Sequence, residues 1–170
     1  MSNPSLKLRR VLFVCTGNIF RSLTAEYALR RALGQQHGDF VVRSDIVVAS
    51  AGTEDFPHVV RPVVRDYLLR HGLDVRTHRR RTLTAQILAD ATDVIAMNTD
   101  HRAILRDHFG CADAPLFTTA CGLADEPLPD VDEAIADYAT NPDAVAAHVR
   151  LIIDRIIELT PRLAARLSQR

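Results

Sequence analysis

Apolar and polar positions fall in blocks along this chain. Val11 to Val14 is a continuous apolar run, the pattern of a strand buried on both faces. It predicts a strand over Arg10–Val14, and the mixed segment after it predicts a helix over Ser22–Leu33. Gly34 to Asp39 reads as a turn region, and a second strand is expected over Val41–Ser50, broken near Ser44-Asp45. Pro57 to Arg70 reads as a helix stopped by His71-Gly72, and Thr82 to Ala89 as a short helix with Thr84 as a cap. A third strand over Asp93–Met97, a helix over Asp100–Phe109 closed by Gly110, and a short fourth strand over Ala114–Phe117 follow. The chain ends in a long amphipathic pattern from Pro142 to Leu167. Val145, Val149, Ile152, Ile153, Ile156 and Leu163 lie on one stripe, and Pro161 is expected to bend or interrupt it.

Strands alternating with helices imply an α/β fold: a three-layer α/β/α arrangement around a four-stranded, parallel, twisted sheet. The 170 residues fit one domain, 1–170, with no repeat or linker. Right-handed crossovers place the loop after the first strand at the carboxyl edge of the sheet, where open α/β sheets bind ligands.

That loop carries the candidate chemistry. Val14-Cys15-Thr16-Gly17-Asn18-Ile19-Phe20-Arg21-Ser22 ends a strand and opens a helix. Gly17 and Asn18 tolerate a left-handed backbone, and Ser22 is a natural N-cap. A strand, a tight loop and a helix N-terminus make an anion-binding concavity. Amide dipoles and a nearby guanidinium favour the thiolate of Cys15, and the planar fork of Arg21 can hold two phosphate oxygens at once. Nucleophile, cradle and clamp suit attack of sulfur on phosphorus. The plain alternative makes Cys15 a buried strand-end residue and Arg21 a solvated helix residue. Neither Cys111 nor Cys121 has an arginine six places on; Phe117 and Pro127 stand there.

Composition narrows the classes. Net charge is zero with a pI near 7.1, and charged residues are 25% of the chain, so neither a nucleic-acid nor a membrane-surface protein is expected. No stretch is long and apolar enough for a membrane span, and Met1 to Arg10 lacks the apolar segment of a signal peptide. Three cysteines argue against a disulfide framework and for a reducing cytoplasm. His71 and His78 are too far apart for a local zinc pair, and no metal or other cofactor is expected. Arg79-Arg80-Arg81 reads as a solvated or cleft-rim loop in preference to a nucleic-acid patch.

The loop closely resembles the phosphate-binding loop of the low-molecular-weight protein tyrosine phosphatases, V-C-x-G-N-x-C-R-S-P-x-A-E, with Phe20 at its second cysteine and Leu23 at its proline. Ser50-Ala51-Gly52-Thr53, His71-Gly72-Leu73 with His78, and Asp93 to Met97 resemble later segments of that family. The resemblance implies phosphomonoester hydrolysis through a phosphocysteine at Cys15, with Arg21 as clamp. It also implies a phosphoryl cradle of Thr16, Gly17, Asn18, Ile19, Phe20 and Ser22, able to hold inorganic phosphate or sulfate. The family's general acid is an aspartate in a late Asp-Pro. This chain has none; Asp130 best occupies the place, then Asp132, then Asp125, and a solvated acidic loop leading into a helix is the alternative for all three. Phe56 matches an aromatic rim position, Asp132 would repel acidic phosphopeptides, and Ile19 replaces the threonine of phosphoarginine phosphatases. The expected partner is a phosphorylated protein or small aryl phosphate such as phosphotyrosine. Phe20 removes the thiol that could trap an oxidised Cys15, and Cys111 and Cys121 read as structural. A thiol-dependent arsenate reductase, which would need those two cysteines, and a phosphate-binding regulatory module that has lost catalysis remain alternatives.

Overall fold

In a computed structural model, residues 8–34, 45–55, 57 and 59–169 are described. The elements in chain order are β1 (Arg9–Cys15), α1 (Arg21–Ala32), β2 (Ile46–Gly52), α2 (Pro62–Arg70) and α3 (Ala85–Asp90). Then come β3 (Asp93–Ala96), α4 (Thr99–Phe109), α5 (Phe117–Ala120), α6 (Val131–Ala134) and α7 (Pro142–Ser168).

β1 is the central strand, and the sheet order is β2-β1-β3, all parallel. Cys15 stands beside Gly52, and Val14 beside Ala96. Alternation along β1 splits the core in two. Val11, Phe13 and Cys15 face the layer that contains α1 and α7; Leu12 and Val14 face the layer with Leu105, Leu116 and Leu83. Both faces of the sheet are therefore covered, which is why β1 reads as an unbroken apolar run.

The expected fourth strand is reduced to one parallel bridge between Ala96 and Leu116, so the sheet has three strands among the described residues. Pro115 still accepts from Ala96 N–H at 2.9 Å, but it has no N–H of its own, and the chain turns directly into α5 at Phe117. α2 starts at Pro62, later than Pro57, with proline in its first turn, where a missing N–H costs nothing. The start of the expected second strand, 41–44, lies outside the described residues.

α7 runs through Pro161 without interruption. The proline costs about 3 kcal/mol in a helix interior. Ile156, Leu159, Leu163 and Leu167 are buried on both sides of it. At roughly 1.5–3 kcal/mol for each fully buried side chain, their packing outweighs that cost. Pro161 therefore removes a hydrogen bond but does not break the helix.

Gly52 positions the site. A Cβ there would lie 2.6 Å from Thr16 O and 3.0 Å from Asn18 N. The end of β2 passes so close to the loop after β1 that any larger residue would push the loop away.

Candidate functional site

Residues 15–22 turn from the end of β1 into the N-terminus of α1, with Asn18 in the left-handed region at φ 57°. Phe20, not Ser22, precedes the helix, and it makes no side-chain cap. Ser22 lies inside the first turn because its hydroxyl is used elsewhere: its Oγ is 2.9 Å from Cys15 Sγ and accepts from Asn18 Nδ2 at 3.0 Å. Asn18 Nδ2 also donates to Ser50 Oγ at 2.7 Å, and Ser50 donates to the Glu26 carboxylate. With Ser22 Oγ taking a hydrogen from Asn18, its own hydrogen can point at the sulfur, the polarity that suits a thiolate.

The loop is braced from outside as well. Arg81 N–H donates to Asn18 Oδ1 at 2.8 Å, and Arg80 donates to the carbonyls of Gly17 and Glu54. The basic stretch is thus a wall of the loop. His78 Nε2 lies 2.9 Å from Asn18 O, and burial lowers its pKa, so the neutral ring donates to that carbonyl.

Arg21 is 1% exposed, which overturns the reading of a solvated helix residue. Its Nη1 donates to Leu128 O at 2.9 Å; its Nη2 reaches Thr16 Oγ1 at 3.2 Å and Asp130 Oδ2 at 2.5 Å. Its Nε is buried with no hydrogen-bond partner among the described residues. An unsatisfied buried donor costs about 1–3 kcal/mol. An anion bridging Nε and one Nη would remove that cost.

Cys15, Thr16, Gly17, Ile19, Phe20 and Asp130 line one cleft of about 220 Å³. The buried Val64, Val131 and Val149 also line it, with Tyr138 and the exposed Glu54, Arg61 and Asp132 at the rim. Asp125 is not among the residues lining the cleft; it pairs with Arg102 at 2.9 Å, and its hydrogen bond from Thr119 lowers its pKa. Phe56 lies outside the described residues. Among the described residues, no group of three or more His, Cys, Asp or Glu side chains could hold a metal ion, and no helix is long and apolar enough to cross a membrane.

A family sequence profile decides the kinship: that of the low molecular weight phosphotyrosine protein phosphatases matches residues 10–120. The chain belongs to that family. Its members are cysteine-dependent phosphatases, and the match includes the whole loop from Cys15 to Ser22. A protein-arginine-phosphatase of Geobacillus stearothermophilus is 30% identical over 159 residues, 94% of this chain and 96% of that protein. The low molecular weight protein-tyrosine-phosphatase Etp of Escherichia coli (strain K12) is 32% identical over 99 residues, 58% of this chain and 60% of that protein. The solved structure of an arginine phosphatase with a phosphorylated active-site serine has the same fold, with a TM-score of 0.76 at 21% identity over 94% of this chain and 96% of that one.

Sequence reasoning missed His101, Glu133, Asn98 and Tyr138. Tyr138 carries no local signal, because α6 intervenes between it and Asp130. The Asp130-to-Glu133 spacing is a readable capping box, which α6 forms. His101 is fully buried, with Nε2 2.8 Å from Thr16 Oγ1 and Nδ1 without a hydrogen-bond partner among the described residues. Burial first, then the Arg21 charge, push its pKa down to about 4. Its unfolded value is about 6.5, so between those values the unfolded chain binds the extra proton. Stability from this group is complete above about pH 6.5 and is lost as pH falls towards 4. Urea denaturation near pH 7 and near pH 4.5 should show about 2 kcal/mol less acid destabilisation in His101→Gln than in the native chain. Equal losses in both would show that His101 is not the titrating group.

Proposed function

We propose that this chain hydrolyses aryl phosphate monoesters, such as phosphotyrosine, through a phosphocysteine intermediate. Cys15 Sγ attacks phosphorus, and the bond to the leaving oxygen breaks with its electron pair going to that oxygen. Arg21 holds two equatorial phosphoryl oxygens. The incoming dianion displaces the Asp130 carboxylate from Arg21; Asp130 takes a proton from solvent as it leaves that ion pair and gives it to the leaving oxygen. Water attacks the phosphorus of the phosphocysteine, Asp130 accepts a proton from it, and inorganic phosphate leaves with the thiolate restored.

One observation carries the reading: a fully buried guanidinium whose Nε–H has no hydrogen-bond partner among the described residues, in the same loop as a strand-end thiol 2.9 Å from Ser22 Oγ. The apolar walls from Ile19, Phe20, Val131 and Val149, with Tyr138, support an aryl group over a charged one. Phosphoarginine is the second reading, favoured by the Geobacillus relative and by Glu54 and Asp132 at the rim. The arsenate reductase alternative fares worse. Burial pushes the Cys121 thiol up to about 12 and raises Cys111 as well, so neither suits a thiolate relay. Thiolate chemistry of this kind fits a reducing, cytoplasmic compartment.

Rapid mixing with p-nitrophenyl phosphate tests the reaction. A burst of nitrophenolate equal to the enzyme concentration is expected, and a linear trace with no turnover would overturn the proposal. A phosphotyrosine peptide should be cleaved with a kcat/KM at least about tenfold above that for phosphoarginine. The reverse order would make the second reading the right one.

Asp130→Asn tests the acid. It should lower kcat/KM for phenyl phosphate by about two orders of magnitude, and for p-nitrophenyl phosphate by tenfold or less, roughly, since a good leaving group needs less protonation. If Asp132→Asn shows this dependence and Asp130→Asn does not, the acid lies two residues along.

A further inference from the structure

We propose that Glu133, latched to Asn98, is the positioning residue that holds Asp130 for proton transfer, in place of the proline that follows the acid in the resembled family. The inference rests on Asp130 as the general acid. Glu133 contacts three elements of the site. Its two carboxylate oxygens accept from Asn98 Nδ2 at 2.9 and 2.8 Å. Oε2 also accepts the backbone N–H of Asp130 at 2.6 Å and lies 3.7 Å from Arg21 Nη1. Asn98 cannot turn away, because its Oδ1 accepts from Thr99 N–H at 2.7 Å and caps α4. It follows β3 closely and is 7% exposed. The latch therefore ties the backbone at Asp130 to the edge of the sheet.

The reaction itself explains why a latch is needed. The guanidinium holds the Asp130 carboxylate at 2.5 Å. A proton donor must be neutral and must leave that ion pair. At that moment the side chain loses its strongest restraint, and Val131 supplies no ring to fix the backbone. The hydrogen bonds of Glu133 to Asp130 N and Asn98 are made to groups other than Arg21, which Glu133 meets only through the longer 3.7 Å ion pair. They keep the acid in place through the step in which it acts, and misplacement by about 1 Å can cost 10²-fold.

Asn98→Asp sets two carboxylates face to face and opens the latch while keeping an acceptor for the α4 cap. We expect kcat/KM for phenyl phosphate to fall about tenfold, with a several-fold smaller loss for p-nitrophenyl phosphate. Adding Glu133→Gln to Asn98→Asp restores a donor opposite the new carboxylate and an acceptor for Asp130 N–H; phenyl phosphate cleavage should return to within about threefold of native. Glu133→Gln alone, which keeps the capping box, should show the same leaving-group bias more weakly. In an Asp130→Asn background, Asn98→Asp should add no further leaving-group dependence. Equal losses for both substrates, or a double variant no better than Asn98→Asp, would overturn the inference and leave Asp130 as the acid. If Asp130→Asn itself shows no leaving-group dependence, the acid assignment and this inference fall together.

Discussion

Cys15→Ser should eliminate the nitrophenolate burst and lower steady-state turnover by about four orders of magnitude or more, the scale on which loss of a covalent nucleophile is felt. The substitution is nearly isosteric, and the hydroxyl can keep the 2.9 Å contact to Ser22. What changes is the chemistry. Sulfur is the better nucleophile and ionises far more readily than a serine hydroxyl, which the Ser22 hydroxyl and the α1 N-terminus cannot render anionic. The fold should be little affected, since the site is 2% exposed and the new side chain is slightly smaller. The thermal midpoint should therefore move by only a few degrees. Inorganic phosphate should still raise that midpoint, because its binding rests on the loop and on Arg21. Stopped-flow absorbance and a thermal melt with and without phosphate check both halves. Activity within tenfold of native would place the nucleophile elsewhere. Cys121, a buried thiol held in the protonated form, and Cys111 offer no ready substitute.

How much was readable follows from how far apart the contacting residues lie. The Cys15–Ser22 and Asn18–Ser22 contacts close within eight residues, so strand, turn and helix signals were enough to put these residues in one loop, though not to show which hydroxyl meets the thiol. Arg21 with Leu128, Thr16 with His101 and Asn18 with Ser50 span much longer loops, and no local periodicity encodes such meetings. Ser22 has the composition of an N-cap, but its hydroxyl went to the thiol and to Asn18, and tertiary demand overrode the local preference. The fourth strand was expected from four residues, Ala114–Phe117, that include a proline, and the missing N–H left one bridge of it. At Pro161 the interruption that the sequence allowed did not occur. A local helix-breaking signal was outweighed by apolar burial on both sides of it. Asp130 was reached through the family resemblance, as the residue that best occupies the place of the late Asp-Pro. Its guanidinium partner and the Glu133 latch became visible only when three segments of the chain met.

Arg21→Lys should lower kcat/KM for p-nitrophenyl phosphate by two to three orders of magnitude, roughly, although the charge is kept. The arginine spans its neighbours with a planar fork: Nη1 on Leu128 O, Nη2 on Thr16 and Asp130, and Nε with no hydrogen-bond partner among the described residues. An ammonium is one point with three rotatable donors. It cannot reach Leu128 O and Asp130 together and still offer two parallel N–H groups to equatorial oxygens. Those oxygens gain charge as phosphorus passes between sulfur and the leaving oxygen, so the loss should appear in the phosphorylation step as well as in binding. Stability should fall too. Leu128 O would lose its donor in a buried setting, and a buried group left without its partner costs about 1–3 kcal/mol. The two effects are separable. Added phosphate restores stability by mass action if a lysine still binds it, but it cannot restore geometry at the reacting centre. Burst amplitude and rate, measured beside a denaturation curve, therefore distinguish a misaligned clamp from a partly unfolded enzyme. A variant that folds fully and bursts at a rate within about threefold of native would mean that charge alone suffices there, and that the buried fork of Arg21 serves the loop and not the transferring group.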